Sequence, residues 1–159
     1  MVTFDSTFHQ TQQCQQEALA FPNIKYPMST FWRENRAEED RVLALVSQSL
    51  RGAAALFVEP ISVKGNDMAT PYFYQQLRKL TLEQGVALIV DETKTGFGIS
   101  GRQWASDHWY LDESPDFVTF GGKVGVNGYF AHLDFQPEVE QGRFDYSKLQ
   151  QFNVAWRAV

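Results

Sequence analysis

Acidic residues follow two apolar segments of the chain, and these positions are the first candidates for chemistry. Glu59 comes directly after the apolar residues 56–58, and Asp91 and Glu92 come directly after the apolar residues 86–90. If both segments are strands of an open α/β sheet, their carboxyl ends mark the edge where ligands bind. A carboxylate at that edge needs a partner. Either it accepts loop amides or caps a helix, or it faces a cationic group of a ligand.

A glycine turn followed by a lysine is the second candidate. The run Phe120-Gly121-Gly122-Lys123 predicts the end of a strand, a flexible turn and a lysine. Such a lysine becomes chemically interesting only when an electrophile lies nearby. Residues 95–101 also contain three glycines, but they match neither GxGxxG nor a P-loop. A plain loop is therefore the favoured interpretation of that segment.

Two helices are predicted in the part of the chain that must position these residues. The first runs from about Phe31 to Leu50, with Ser29 or Thr30 as its cap. The second begins with the proline of Thr70-Pro71 in its first turn and stops at Gly85. The second helix separates two apolar segments, and this order predicts a βαβ unit of a parallel sheet.

The fold class predicted from these elements is α/β. Residues 1–20 are rich in glutamine without a clear period and are predicted to be an irregular lead. Residues 21–159 are predicted to form one domain. Strands are predicted at residues 53–58, 86–90, 116–120 and 128–132.

The composition excludes several classes of function. A net charge of −5 and a pI near 5.1 argue against a nucleic-acid or anionic-membrane surface. The single cysteine, Cys14, permits no intrachain disulfide, and the three histidines lack metal-ligand spacing, so no metal site is predicted. No apolar run approaches the ~20 residues that span a bilayer, and no targeting pattern is seen. We expect an intracellular protein of the cytoplasm or the mitochondrial matrix.

In chain order, the motifs resemble those of the class-III aminotransferases, which use pyridoxal 5′-phosphate (PLP). That family has V-E-P at a strand end, then a strand ending in D-E-x-x-T-G. A tryptophan-containing helix, P-D, and a strand leading to the PLP lysine follow. Each motif is weak alone, and their order makes the set specific. The matching segments are Val58-Glu59-Pro60, Asp91-Glu92-Thr93-Lys94-Thr95-Gly96, Trp104-Ala105, Pro115-Asp116 and Gly121-Gly122-Lys123.

Within that family, the segments before the first strand resemble the 4-aminobutyrate aminotransferase branch. These are F-P-N-I-K-Y-P at 21–27 and Glu34-Asn35 followed by Glu38-Glu39. The resemblance implies a partial large domain of the fold type I PLP-dependent transferases, a mostly parallel sheet flanked by helices. The family's N-terminal part and small C-terminal domain have no match, so we expect the chain alone to be inactive.

The resemblance also implies roles for individual residues. Asp91 is matched to the carboxylate that keeps the pyridine nitrogen of PLP protonated, and Glu59 and Lys94 are placed near the cofactor. The family lysine forms a Schiff base with PLP and moves protons. Counted without gaps from Asp91, Gly122 falls on that lysine's position, which leaves Lys123 as the candidate.

The activity implied is transfer of an ω-amino group to a 2-oxo acid such as 2-oxoglutarate. The implied partners are an amino acid and a 2-oxo acid, with a homodimer as the full-length form. Gly122, Lys94 and Lys64 depart from the family pattern, and Lys64 replaces a substrate-side glutamate. Two alternatives therefore stay open: a catalytically inactive relic, or a different ω-aminotransferase of the lysine or ornithine type.

Overall fold

A mainly parallel β-sheet flanked by two α-helices is the framework of the chain. The computed structural model describes residues 2–3, 17–62, 65–122 and 124–135. The strands lie in the order β2-β1-β3-β4-β5-β6, and every neighbouring pair is parallel except β5–β6. The predicted α/β class is therefore confirmed. The strands are β1 Val2–Thr3, β2 Glu17–Ala18, β3 Ala55–Val58, β4 Ala87–Asp91, β5 Phe117–Phe120 and β6 Gly128–Ala131.

The first helix, α1 Trp32–Ser49, begins without the predicted side-chain cap. Phe31 occupies the N-cap position and makes no side-chain cap hydrogen bond. The predicted cap at Ser29 or Thr30 was therefore wrong. Asn35 instead accepts the Lys25 amide at 2.8 Å and donates to the Lys25 carbonyl at 2.9 Å. This pair ties the preceding segment to the helix.

The second helix, α2 Pro71–Gln84, has the termini that its sequence predicts. Thr70 is extended at the N-cap, Pro71 occupies the first turn, and Gly85 ends the helix with φ 65°. Its capping hydrogen bonds come from α1. Glu39 accepts the Thr70 amide at 2.7 Å and the Thr70 hydroxyl at 2.9 Å. A carboxylate of one helix thus caps the start of the next.

Apolar and aromatic side chains pack between α2 and the sheet. Leu88 and Val90 of β4 are buried in the same cluster as Phe73 of α2. Tyr74 stacks on Trp109 with ring centroids 3.9 Å apart and planes 7° apart. Its hydroxyl donates to the carbonyl of Pro60 at 2.9 Å, and burial raises the pKa of this phenol. The neutral hydroxyl therefore fixes the segment that leaves β3.

Short 3₁₀ helices and an unexpected pair of strands complete the described part. The 3₁₀ helices are Ala105–Trp109 and Leu133–Phe135. The lead that was predicted to be irregular contributes β1 and β2, and β1 pairs with β3. Two-residue strands carry too little pattern to be recognised in sequence. Among the described residues, no helix is both long and apolar enough to cross a membrane.

Glu39 predicts a measurable pH dependence of stability. Burial raises the pKa of this carboxyl above its ordinary value of 4.5, so the folded state binds the proton more tightly than the unfolded state. Its contribution to the free energy of unfolding is therefore largest below pH 4.5 and falls as pH rises through the raised pKa. We expect wild type to gain stability relative to Glu39→Gln when urea unfolding is measured at pH 4 instead of pH 7.

The adjacent residue Glu38 provides a control of opposite sign. A side-chain hydrogen bond from Arg41 lowers the pKa of Glu38. Its contribution is therefore present above pH 4.5 and lost as pH falls through the lowered pKa. Wild type should lose stability relative to Glu38→Gln at acid pH, by a small amount because the pair is partly exposed. The same sign for both variants would contradict the assignment.

Candidate active site

The carboxyl ends of β3, β4 and β5 meet at one edge of the sheet. Glu59 follows β3 and is half-buried, and Asp91 is the last residue of β4. Thr119 of β5 is the register partner of Asp91. The two acids that the sequence singled out therefore lie at the ligand-binding edge of a parallel sheet.

The carboxylate of Asp91 is held in one orientation by its neighbours. It is 9% exposed, and its Oδ1 accepts the Thr93 amide at 2.9 Å and the Thr119 hydroxyl at 2.8 Å. Both hydrogen bonds that the described residues make to this carboxylate reach Oδ1. Oδ2 is therefore the oxygen available to a cationic ligand group. The carboxylate can therefore accept a loop amide through Oδ1 and still face a cationic ligand group through Oδ2.

Glu92 is the more deeply buried acid, with 1% of its surface exposed. Its Oε2 accepts the Thr95 hydroxyl at 2.5 Å and the Ala105 amide at 3.1 Å. Its Oε1 accepts the Ser106 amide at 2.8 Å and the Ser106 hydroxyl at 2.7 Å. This carboxylate thus fastens the start of the 3₁₀ helix to the end of β4.

The intervening loop, residues 93–104, folds back on itself. The Phe97 amide donates to the Gln103 carbonyl at 2.7 Å. Gly96 lies so close to the Trp104 ring that an added Cβ would come within 2.8 Å of it. Lys94 lies on this loop with an exposed side chain. Residues 95–101, predicted to be a plain loop, contain turns and a bend and neither helix nor strand.

The turn after β5 lies beside the loop that follows Asp91. Gly121 has φ 151° and Gly122 has φ 70°, and the Gly122 amide donates to Asn127 Oδ1 at 2.6 Å. A Cβ built at Gly122 meets only the carbonyl oxygen of Thr93, at 3.9 Å. The position matched to the family lysine therefore faces the loop that follows Asp91. Lys123 and Lys64 lie outside the described residues.

Comparison with known proteins identifies the family. The sequence model of the family described as "Aminotransferase class-III" matches residues 2–141. The chain belongs to the class-III aminotransferases. The resemblance carried by the ordered motifs is thereby confirmed.

Several class-III relatives are named for 4-aminobutyrate. The chain is 43% identical over 133 residues to a 4-aminobutyrate aminotransferase of Dictyostelium discoideum, covering 80% of this chain and 27% of that protein. It is 38% identical over 125 residues to the human mitochondrial 4-aminobutyrate aminotransferase, covering 74% and 25%. The chain thus spans about a quarter of the length of these relatives.

A solved class-III structure shares the fold. A lysine aminotransferase from M. tuberculosis matches with a TM-score of 0.57 and 28% identity, over 73% of this chain and 26% of that one. A partial fold type I large domain accounts for this likeness.

The described residues fit the pyridine side of PLP, the cofactor of this family. Asp91 offers a carboxylate with one oxygen free of described hydrogen-bond donors, and a Cβ added at Gly122 would meet only the Thr93 carbonyl, at 3.9 Å. No described group of three or more His, Cys, Asp or Glu side chains could hold a metal ion.

Sequence reasoning missed the residues that orient the candidate site. Thr119, which fixes Asp91, is an unremarkable residue of an apolar strand. Ser106, which binds Glu92 twice, lies 14 residues further along the chain. The alternation of β5 places Thr119 on the same face as Phe117 and on the face opposite to Phe120. Only the β4–β5 register shows which residue of β5 meets Asp91.

Proposed function

We propose that this chain supplies the pyridine side of the PLP site of a 4-aminobutyrate-type transaminase. The proposed reaction moves an ω-amino group to a 2-oxo acid such as 2-oxoglutarate, and the proposed working form is a homodimer. The observation that carries the proposal is the Asp91 carboxylate, fixed through Oδ1 at the ligand-binding edge of the sheet. The identities to 4-aminobutyrate aminotransferases support the choice of substrate class.

Asp91 would hold a proton on the cofactor. PLP, when bound, withdraws electrons from the carbon next to the amino nitrogen, and it does so best with its pyridine nitrogen protonated. The negative charge of Asp91 favours that proton. Thr93 and Thr119 hold the carboxylate so that it need not reorganise when the cofactor binds.

Lysines would serve the other side of the site. Lys123 is proposed to move a proton through its Nζ, since the Gly122 turn lets the backbone shift by one residue. Lys94 is proposed to lie beside the cofactor ring and Glu59 to support it from the end of β3. Lys64, on the substrate side, adds a positive charge where the family has a negative one, and so is expected to alter the choice of amino donor.

Replacing Asp91 by Asn tests the cofactor role. The amide keeps the shape and can still accept from Thr93, but it has no charge to hold the pyridine proton. Loss of one hydrogen bond to a charged group is worth about 1.5–3 kcal/mol, so we expect PLP affinity to fall roughly 10- to 100-fold. Absorbance titration of the 159-residue chain with PLP measures this.

Asp107→Asn is the matched control for that titration. Asp107 also accepts a loop amide, from Trp104 at 3.1 Å, yet its side chain is exposed, and asparagine keeps the oxygen that accepts this amide. We expect this variant to bind PLP like wild type. Equal binding by Asp91→Asn and wild type would rule out the proposed role of Asp91.

A catalytically inactive relic is the second candidate function, and the geometry of Gly122 favours it. Gly122, the residue matched to the family's lysine by counting from Asp91, has φ 70°, a conformation that lysine rarely adopts. A relic would bind PLP without converting 4-aminobutyrate. A lysine- or ornithine-type enzyme would instead convert those donors faster. Supplying the three donors with 2-oxoglutarate to the full-length homodimer and measuring glutamate separates these possibilities.

A further inference from the structure

The carboxylate of Glu92 is surrounded by hydrogen-bond donors. Four donors from three residues converge on its two oxygens, each oxygen accepting one backbone amide and one hydroxyl. The carboxylate is 1% exposed. No described lysine or arginine is paired with it, so these four dipoles are what the described structure offers to stabilise its burial.

The consecutive residues Asp91 and Glu92 hold opposite ends of one loop. Asp91 accepts the amide of Thr93 at the start, and Glu92 accepts the amides of Ala105 and Ser106 just after the end. Glu92 also accepts the Thr95 hydroxyl. The path of residues 93–104 relative to Asp91 is thus set by two neighbouring carboxylates.

We propose that Glu92 is a positioning residue for the PLP site, acting through the loop of residues 93–104. The inference rests on the proposed function, because the loop matters for binding only if PLP lies against Asp91. The loop carries Lys94, and its Thr93 carbonyl faces the open space at Gly122. If the end of the loop near residue 104 were released, Thr93 could move. The hydrogen bond from the Thr93 amide would then no longer hold Asp91 in its orientation.

Glutamine cannot replace Glu92 in either orientation of its amide. With the NH₂ group in place of Oε1, it faces the Ser106 amide, and in place of Oε2 it faces the Ala105 amide. Both arrangements set a donor against a backbone donor. Glu92→Gln should therefore release one end of the 3₁₀ helix while changing neither size nor shape.

Glu39→Gln is the matched control. Glu39 is also 1% exposed and also accepts a backbone amide at a helix start. There, however, one oxygen accepts the Thr70 amide and the other meets only the Thr70 hydroxyl, which can accept from an NH₂ group. One orientation of glutamine thus satisfies both partners, so a general cost of neutralising a buried acid appears in both variants and loop release in only one.

Hydrogen exchange and PLP titration of the full 159-residue chain test the inference. For Glu92→Gln we expect the amides of Ala105 and Ser106 to exchange roughly 10- to 100-fold faster, and PLP affinity to fall at least about tenfold. For Glu39→Gln we expect neither change. Ser106→Ala, which removes one hydroxyl donor and keeps the amide, should show a smaller change in the same direction.

The outcomes separate this inference from the proposed function. If wild type binds PLP and Glu92→Gln binds equally well, the positioning role of Glu92 fails and the function stands. If Ala105 and Ser106 exchange as in wild type, the inference fails as well. If wild type binds no PLP, the proposed function itself fails and takes the cofactor role of Glu92 with it. If Glu92→Gln does not fold, Ser106→Ala decides between the first two outcomes.

Discussion

Asp116→Ala should lower the free energy of unfolding by about 3–5 kcal/mol, because it leaves a buried guanidinium without its counter-charge. Arg78 of α2 donates to Asp116 through Nη1 at 2.7 Å and through Nη2 at 3.2 Å. The two side chains are 8% and 14% exposed. Asp116 also accepts the Leu88 amide at 2.7 Å. The loss is a large part of the roughly 5–15 kcal/mol that stabilises a typical domain.

The exposed pair of Arg41 and Glu38 provides the control for that measurement. It has similar distances, but the Arg41 side chain is 57% exposed, so Glu38→Ala should cost at most about 1 kcal/mol. Arg78→Lys keeps the charge and loses the two-pronged geometry, and it should fall between the two. Urea unfolding followed by circular dichroism measures all three. A cost for Asp116→Ala as small as for Glu38→Ala would contradict the buried role.

The same ion pair links stability to the candidate site. The Asp116 amide donates to the Leu88 carbonyl at 3.0 Å, and the His132 amide donates to the Asp116 carbonyl at 2.8 Å. One residue thus joins α2, β4 and β6 at the start of β5. Asp91 ends β4 three residues after Leu88. The register of β4 against β5, which sets Asp91 opposite Thr119, is therefore fixed at its other end by Asp116.

Local signals explain what could be predicted from the sequence. The termini of α2 follow from Pro71 and Gly85, whose backbone preferences act wherever the chain leads. The continuous apolar character of β3 and β4 indicates strands buried on both faces, and it places Glu59 and Asp91 at strand ends. The edge of the sheet that bears the candidate site follows from these local facts and the topology rule for parallel sheets.

The contacts that orient the site join residues far apart in sequence. Glu39 and Thr70 are 31 residues apart, and Arg78 and Asp116 are 38 apart. Such pairs depend on how α1, α2 and the sheet pack, which no periodicity encodes. The cap predicted for α1 was wrong for the same reason. Asn35 binds the Lys25 backbone, so the segment before α1 is held by a contact across ten residues, and no side chain caps the helix locally.

Lys123→Ala should abolish covalent capture of PLP by borohydride, whereas wild type should yield a pyridoxyl adduct on Lys123. The physical reason is that Gly121 and Gly122, both with positive φ angles, leave the backbone of this turn adaptable, which is what a shift of the reactive lysine by one residue requires. Mass mapping of peptides after reduction reads the result directly. Lys79→Ala is the control, because Lys79 is an exposed lysine of α2 that has no place in the proposed site.

A double variant with Gly122→Lys and Lys123→Ala tests which of the two positions carries the lysine that captures PLP. The built Cβ at Gly122 is 3.9 Å from its nearest contact, so a Cβ is accommodated there without a clash. A φ of 70° costs a residue other than glycine about 1–2 kcal/mol. We expect capture to return at position 122 with that loss of stability. Capture in wild type that persists in Lys123→Ala would eliminate Lys123. If wild type shows no covalent capture of PLP and the variant with Gly122→Lys does, the protein is a relic that retains the cofactor site but has lost the reactive lysine.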